Sequence, residues 1–328
     1  MNTFGHLFRC TTWGEAHGKA VGCVVDGCPS GLELSESDIQ KELQADIPDC
    51  SLGTPRREQN HLEILSGLLE NKTLGTPICI VIRNNDRNMA DYDHFKDCYR
   101  PGHAEYTFHK KYGIYDPHGG GRASGREAIA RIAAGAIAKK VLLKQSITFC
   151  SRVEELAGLE CSTPDKLENA KKRCFELAKS GDSTGGIISL TIRGVPVGVG
   201  CPVFNKLHSL VMYALSTIGG VKGVESGYGF DAARMNGSNF NDPFGLSNNE
   251  IVLISNNSAG VLGGISTGLD LTFKVAVKPT PSIFMPQQTV NWRTKKEETV
   301  LLTGRFDKNF TPRIAPIAEA MAAIVVLD

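Results

Sequence analysis

The chain has almost no net charge: 36 lysines and arginines against 35 aspartates and glutamates leave +1. A protein held on a nucleic acid by bulk electrostatics needs a basic excess, so no nucleic-acid partner is expected. No apolar run approaches the ~20 residues needed to span a bilayer. The first ten residues carry no signal-peptide pattern. The expectations are a cytoplasmic protein and no membrane partner. Ten cysteines are scattered without a CxxC pair. That spacing argues for free thiols in a reducing compartment rather than a disulfide framework. With no HExxH and no Cys/His cluster, no metal is expected. No GxGxxG follows a strand and no GxxxxGK[ST] occurs, which removes the common dinucleotide and P-loop signatures. No serine-hydrolase nucleophile elbow is read. No internal repeat, low-complexity tract or linker divides the 328 residues, so one domain over 1–328 is expected.

What is present is glycine, in short runs beside cations. Arg100-Pro101-Gly102-His103-Ala104-Glu105 is followed by His118-Gly119-Gly120-Gly121-Arg122-Ala123-Ser124-Gly125-Arg126-Glu127, and then by an alanine-rich helical pattern over Ala128–Leu143. Glycines permit left-handed backbone and close approach to a ligand. The helix N-terminus behind them favours an anion. Arg122 and Arg126 lie four apart, so both are expected to face one ligand from the first turn. A turn reading by itself accounts for each of these residues singly; their density is what points to a site.

Along the chain, 7–12 and 21–26 read as strands around the turn Trp13-Gly14-Glu15-Ala16-His17-Gly18. Residues 36–45 read as a capped helix, 46–55 as a loop ending in the cations Arg56 and Arg57 before Glu58, and 62–68 and 77–82 as strands. The polar stretch 84–97 reads as a loop with helical fragments. Beyond the long helix come a strand at 147–156, a surface helix at 164–180, a turn at 181–186 and a strand at 187–193. A helix at 204–216 ends before Gly219-Gly220, and 223–230 is punctuated by glycine. Strands at 251–255 and 271–277 flank a second glycine loop at 256–264. Lys278-Pro279-Thr280-Pro281-Ser282 follows, then a turn at 304–307 and a closing helix at 314–327. Connections of uneven length and hairpin-like turns fit an α+β fold better than a doubly wound sheet. Glycine loops, arginines, Lys278 and two histidines suit a phosphate-bearing ligand, a planar cofactor against backbone, and proton transfer near neutral pH.

In order, the motifs Thr12-Trp13-Gly14-Glu15-Ala16-His17-Gly18, Ile64-Leu65-Ser66-Gly67, Arg100-Pro101-Gly102-His103-Ala104, Gly119 to Glu127, Gly181 to Gly186, Val221-Lys222-Gly223-Val224-Glu225, Leu262-Gly263-Gly264-Ile265-Ser266, Lys278-Pro279-Thr280, and Gly304-Arg305 with Asp307, Pro312-Arg313 and Glu319-Ala320-Met321 resemble chorismate synthase. The resemblance runs from Phe4 to Met321. It implies helices sandwiched between antiparallel sheets, and a lyase that removes phosphate from 5-enolpyruvylshikimate 3-phosphate to give chorismate. It also implies reduced FMN, used without net redox change. NADPH enters only indirectly, for flavin reduction by a separate reductase, and the chain is expected to form a homotetramer.

By resemblance, His17 protonates the leaving phosphate, His103 protonates the reduced ring system, and Asp307 relays a proton near flavin N5. Arg100, Arg126 and Arg305 clamp the substrate. Arg122, Ala123, Ser124, Gly219, Gly220, Gly263, Lys278, Pro279, Thr280, Pro281, Ser282 and Arg305 bind the flavin. The chain departs from the family pattern at Ala16, where serine is usual, at Ala123-Ser124-Gly125-Arg126 for a Ser-Ser-Ala-Arg run, at Gly219-Gly220 for an Asn-Ala pair, and at Phe306 and Lys308-Asn309 for His and Pro-Cys. The arginine-rich stretch of the family is shortened here to 46–55. These departures keep open the reading of a diverged, non-catalytic paralogue that binds flavin or an anionic ligand.

Overall fold

Strands with one apolar face must bury it, and this chain buries two such faces on one pair of helices. The computed structural model describes residues 1–44, 51–53, 60–85, 92 and 95–328. Arg56, Arg57, Glu58, most of the 46–55 loop and much of 84–97 lie outside the described residues. The first sheet orders its strands Thr3–Phe4, Arg9–Gly14, Ala20–Asp26, Ile78–Arg83 and Leu62–Ile64, all antiparallel. The second orders Val221–Ser226, Leu271–Val277, Gly186–Arg193, Thr148–Leu156 and Leu159–Glu160, also antiparallel. Alternation does the sorting. Val21, Cys23 and Val25, with Ile78, Ile80 and Ile82, point inward from one sheet, and Ile188, Leu190 and Ile192, with Leu271, Phe273 and Val275, from the other.

The helices are α1 (Glu36–Gln44), α2 (Glu105–Tyr112), α3 (Ala128–Leu143), α4 (Pro164–Lys179), α5 (Leu207–Ser216), α6 (Gly237–Phe240) and α7 (Thr311–Leu327). Helix α3 packs on the strands of the first sheet and α7 on Thr148–Leu156 and Gly186–Arg193 of the second, while α3 and α7 pack on each other. The fold is α+β with helices between antiparallel sheets, as the resemblance implies. Because both helices are covered on opposite sides, their sequences are apolar nearly all round, Ala130, Ala133, Ala134, Ala138, Ala318, Ala320, Ala322 and Ala323 among them. Small side chains let the axes approach. At Gly135 a Cβ would collide with the Cα and Cβ of Ala320.

Most expected elements are present within a few residues. The run 62–68 is not one strand: Gly67, at φ +88°, folds against Ile78 and starts a separate hairpin of Leu68–Leu69 with Lys72–Thr73. The helix at 204–216 starts three residues later, where Leu207 N–H donates to Gly264 O at 2.8 Å. Helix α2, closed by Gly113 at φ +76°, was hidden in an aromatic and basic stretch without apolar periodicity. The hairpin Gln287–Asn291 with Lys296–Val300 was likewise masked by its polar sequence. Among the described residues no helix is long and apolar enough to cross a membrane.

Gly135→Ala should cost about 1–3 kcal/mol although alanine is the better helix former, because the added methyl overpacks a backbone contact. A melting temperature at or above that of the parent would contradict this packing.

Candidate active site

The turn after Arg9–Gly14 carries His17. It is closed by Gly18 N–H to Glu15 O at 3.1 Å and tied to the glycine run by Ala16 N–H to Gly121 O at 3.4 Å. Gly119, Gly120 and Gly121 have φ of +64°, +82° and +52°, a succession that side chains would forbid. The first of them lies against the His17 ring, where a Cβ would collide with it. Tyr92 meets the same ring edge-on at 5.1 Å, and its own ring lies 5.4 Å from the guanidinium of Arg100. An aromatic floor of Tyr92, Phe95 and Phe306 continues from there.

The expectation that Arg122 and Arg126 face one ligand is overturned. Ser124 is extended (φ −74°, ψ 150°) and separates two short 3-10 turns, Gly121–Ala123 and Gly125–Glu127; regular α-helix begins only at Ala128. The four-residue spacing therefore has no helix to act through. Arg122 turns to Thr12, Gly14 and Asn2, on the wall of a cavity of about 1040 Å³. Arg126 takes different partners: it is 9% exposed and donates to Asn84 Oδ1 (2.9 Å), Asn60 Oδ1 and Arg83 O (3.3 Å). Ser124 caps its own turn, accepting Arg126 N–H at 3.3 Å, and Ala123 closes the preceding one.

Arg100 is buried and its Nε donates to Glu105 Oε1 at 2.6 Å. Its charge is thus balanced inside the protein by a partner on α2 that the sequence did not reveal. The backbone after it leads to His103, whose Nδ1 is 2.9 Å from Pro101 O and whose Nε2 is 2.9 Å from Ser282 Oγ. A carbonyl only accepts, so Nδ1 carries the proton and Nε2 accepts from the serine hydroxyl. Burial, then the charge of Arg100, push the His103 pKa down to about 4. The ring is neutral at pH 7; an anionic ligand beside it is what would draw a second proton on.

The segment 278–282 meets this histidine. Lys278 Nζ donates to Gly102 O at 3.0 Å and its backbone N–H to Gly220 O at 2.9 Å. Burial and then the neighbouring charge of Lys222 lower its pKa. Pro281 packs on Gly102, and Thr280 is buried with Oγ1 lacking a hydrogen-bond partner. Gly220, Lys278, Pro279, Thr280, Pro281 and Ser282 are therefore brought to His103, with Gly219 adjacent. Gly263 is not: its neighbour Gly264 caps the N-terminal end of α5, while Gly219-Gly220 follow the other end, and ten helical residues span about 15 Å. Arg305 is exposed, and Asp307 pairs with Arg313 at 3.5 Å. The string Gly264-Ile265-Ser266-Thr267-Gly268 spells GxSxG, but it turns a hairpin and Ser266 is buried, donating to Pro196 O at 2.6 Å. It is no nucleophile.

The departures from the family pattern are filled structurally. Ala16 is buried, Phe306 stacks on Phe284 at 4.9 Å, and Asn309, 1% exposed, donates to Thr184 Oγ1 and Gly185 O at 2.9 Å. Asn84, Tyr92 and Glu105 are the site residues that sequence reasoning missed. The polarity of 84–97 was the one available signal, and it carried no pairing.

His103 binds fewer protons folded than unfolded between pH 6.5 and about 4, so its share of stability is lost as pH falls through that window. His103→Gln should reduce the stability difference between pH 7 and pH 4.5 by about 2 kcal/mol in denaturant unfolding. An unchanged difference would show that the ring is not held neutral by its surroundings.

The family model described as chorismate synthase matches residues 8–328. A chorismate synthase of Methanosarcina barkeri is 48% identical over 347 residues, covering 100% of this chain and 95% of that protein. One of Archaeoglobus fulgidus is 44% identical, covering 100% of this chain and 96% of that protein. A crystal structure of a chorismate synthase superposes with a TM-score of 0.76 at 28% identity, over 98% of this chain and 91% of that one. The chain therefore belongs to the chorismate synthase family and is a lyase that makes chorismate.

Proposed function

We propose that 5-enolpyruvylshikimate 3-phosphate loses its phosphate and a ring proton in the cleft bounded by the His17 turn, the glycine run at 119–121, and the segments 100–103 and 278–282, within one domain over 1–328. The observation that carries this is the His103–Ser282 hydrogen bond, which joins residues 179 apart in sequence that the family pattern assigns to one cofactor. His17, held between Gly119 and Tyr92, is the acid for the departing phosphate. Arg126, held by Asn84 and Asn60, places the substrate. Arg100 adds field rather than a direct clamp, since Glu105 engages it.

The residues fit reduced FMN. A buried hydroxyl at Thr280 lacks a partner, Lys278 supplies positive charge, and open space lies beside Gly219. Lys278 to Ser282, Gly219, Gly220 and His103 would hold it; Gly263, at the far end of α5, falls outside that set, and Arg122 to Ser124 and Arg305 are tied to it by the family pattern alone. Bound there, it supplies electron density to the substrate ring and recovers it without net redox change. On the family pattern His103, whose Nε2 accepts from Ser282, would protonate the reduced ring system, and Asp307 would relay a proton. Holding both ligands in one orientation away from water is where most of the barrier reduction in such a site would originate. A homotetramer, a separate NADPH-linked flavin reductase and a cytoplasmic location complete the reading.

Protein, reduced FMN and substrate mixed without oxygen should yield chorismate, followed by its absorbance; no product at high protein concentration would reject the proposal. His17→Ala should lower kcat by ~10²–10⁴-fold with flavin affinity nearly unchanged. Wild-type turnover in that variant would remove His17 from the mechanism.

A further inference from the structure

Asn84 follows the strand Ile78–Arg83 and is 2% exposed. Its side chain is committed wholly to the two elements that carry His17 and Arg126. Nδ2 donates to Glu15 O at 3.0 Å and to Gly18 O at 2.9 Å, the two ends of the turn that presents His17. Oδ1 accepts from Arg126 Nε at 2.9 Å. The backbone N–H of Asn84 donates to Lys19 O at 3.2 Å and closes the same turn from behind. The amide can sit only one way round: carbonyls only accept and a guanidinium only donates, so exchanging N and O would put all three side-chain contacts in conflict.

We infer that Asn84 is a positioning residue that fixes the His17 imidazole relative to the Arg126 guanidinium; the inference rests on the roles given to those two residues above. Phosphate departure needs an acid and a cation held in one geometry, and a displacement of ~1 Å can cost on the order of 10²-fold in rate. Among the described residues, beside its internal Gly18 N–H to Glu15 O bond and the Ala16 N–H to Gly121 O tie, the turn receives two hydrogen bonds from the Asn84 amide. Arg126 sits before α3, in a 3-10 turn that does not by itself aim a long side chain. One buried amide thus sets both partners at once.

Asn84→Asp keeps the volume and the acceptor for Arg126, but turns an oxygen towards the two carbonyls. It should lower kcat by ~30-fold or more while KM for the substrate changes by less than ~3-fold, because Arg126 keeps its partner and the His17 turn does not. The added carboxylate should also move the alkaline limb of the kcat–pH profile, where His17 gives up its proton, to higher pH, and shift the His17 ring resonances in NMR spectra of the flavin-free protein. Asn84→Ala releases both partners and should lower kcat/KM by ~10²-fold. Combined with Arg126→Lys it should lose no more than ~3-fold beyond the worse single variant, since both changes break one coupling. Additive losses, or Asn84 variants that melt earlier yet keep wild-type kcat, KM and pH profile in the folded protein, would overturn the inference. If His17→Ala and Arg126→Lys themselves leave turnover unchanged, the site reading fails; if those two lose turnover and the Asn84 variants do not, only the positioning role fails.

Discussion

The contact between α3 and α7 is the constraint on which the rest depends. Two five-stranded sheets with inward Ile, Val, Leu and Phe can share one core only if the layer between them is thin and apolar on both sides. Alanine, and glycine at position 135, make it so. With larger residues the sheets would part, and the loops that leave them would shift relative to one another. The His17 turn leaves the first sheet and the 278–282 segment leaves the second, so helix spacing sets their separation.

Charge in this site is arranged by internal pairing. Arg100 is balanced by Glu105, Asp307 by Arg313, and Arg126 is held by amides and a carbonyl. Burying a guanidinium is tolerable only on such terms. The result is a set of cations whose positions are fixed before a ligand arrives, beside a histidine kept neutral by burial and by Arg100. That combination lets an anionic ligand change the protonation of the site instead of finding it already charged.

The departures from the family pattern sit where other contacts take over. Phe306 joins an aromatic cluster with Phe284 and Tyr92, and Asn309 bonds the turn at 184–185 to the start of α7 through its side chain, accepting from Thr311 N–H at 2.9 Å. Ala16 is buried, where a hydroxyl would need a hydrogen-bond partner. Their replacement chemistry is packing and amide hydrogen bonding, which stabilises the scaffold.

The sequence by itself determined the element types, the alanine-rich helix over Ala128–Leu143 and the glycine run before it, because apolar period and backbone permissiveness are local properties. Ordered motifs were enough to read the family, and with it the reaction. Which way each arginine points was decided only by tertiary structure. Arg122 and Arg126 share a spacing but not a helix, and with an extended Ser124 between them they take different partners. Tyr92 and Asn84 became visible only once distant segments met, since a hydrogen-bond partner 42 or 69 residues away leaves no mark on local pattern; Glu105, five residues from Arg100, went unread because α2 was not expected. The neutrality of His103 likewise depends on burial and on a neighbouring charge, and both are properties of the folded chain alone.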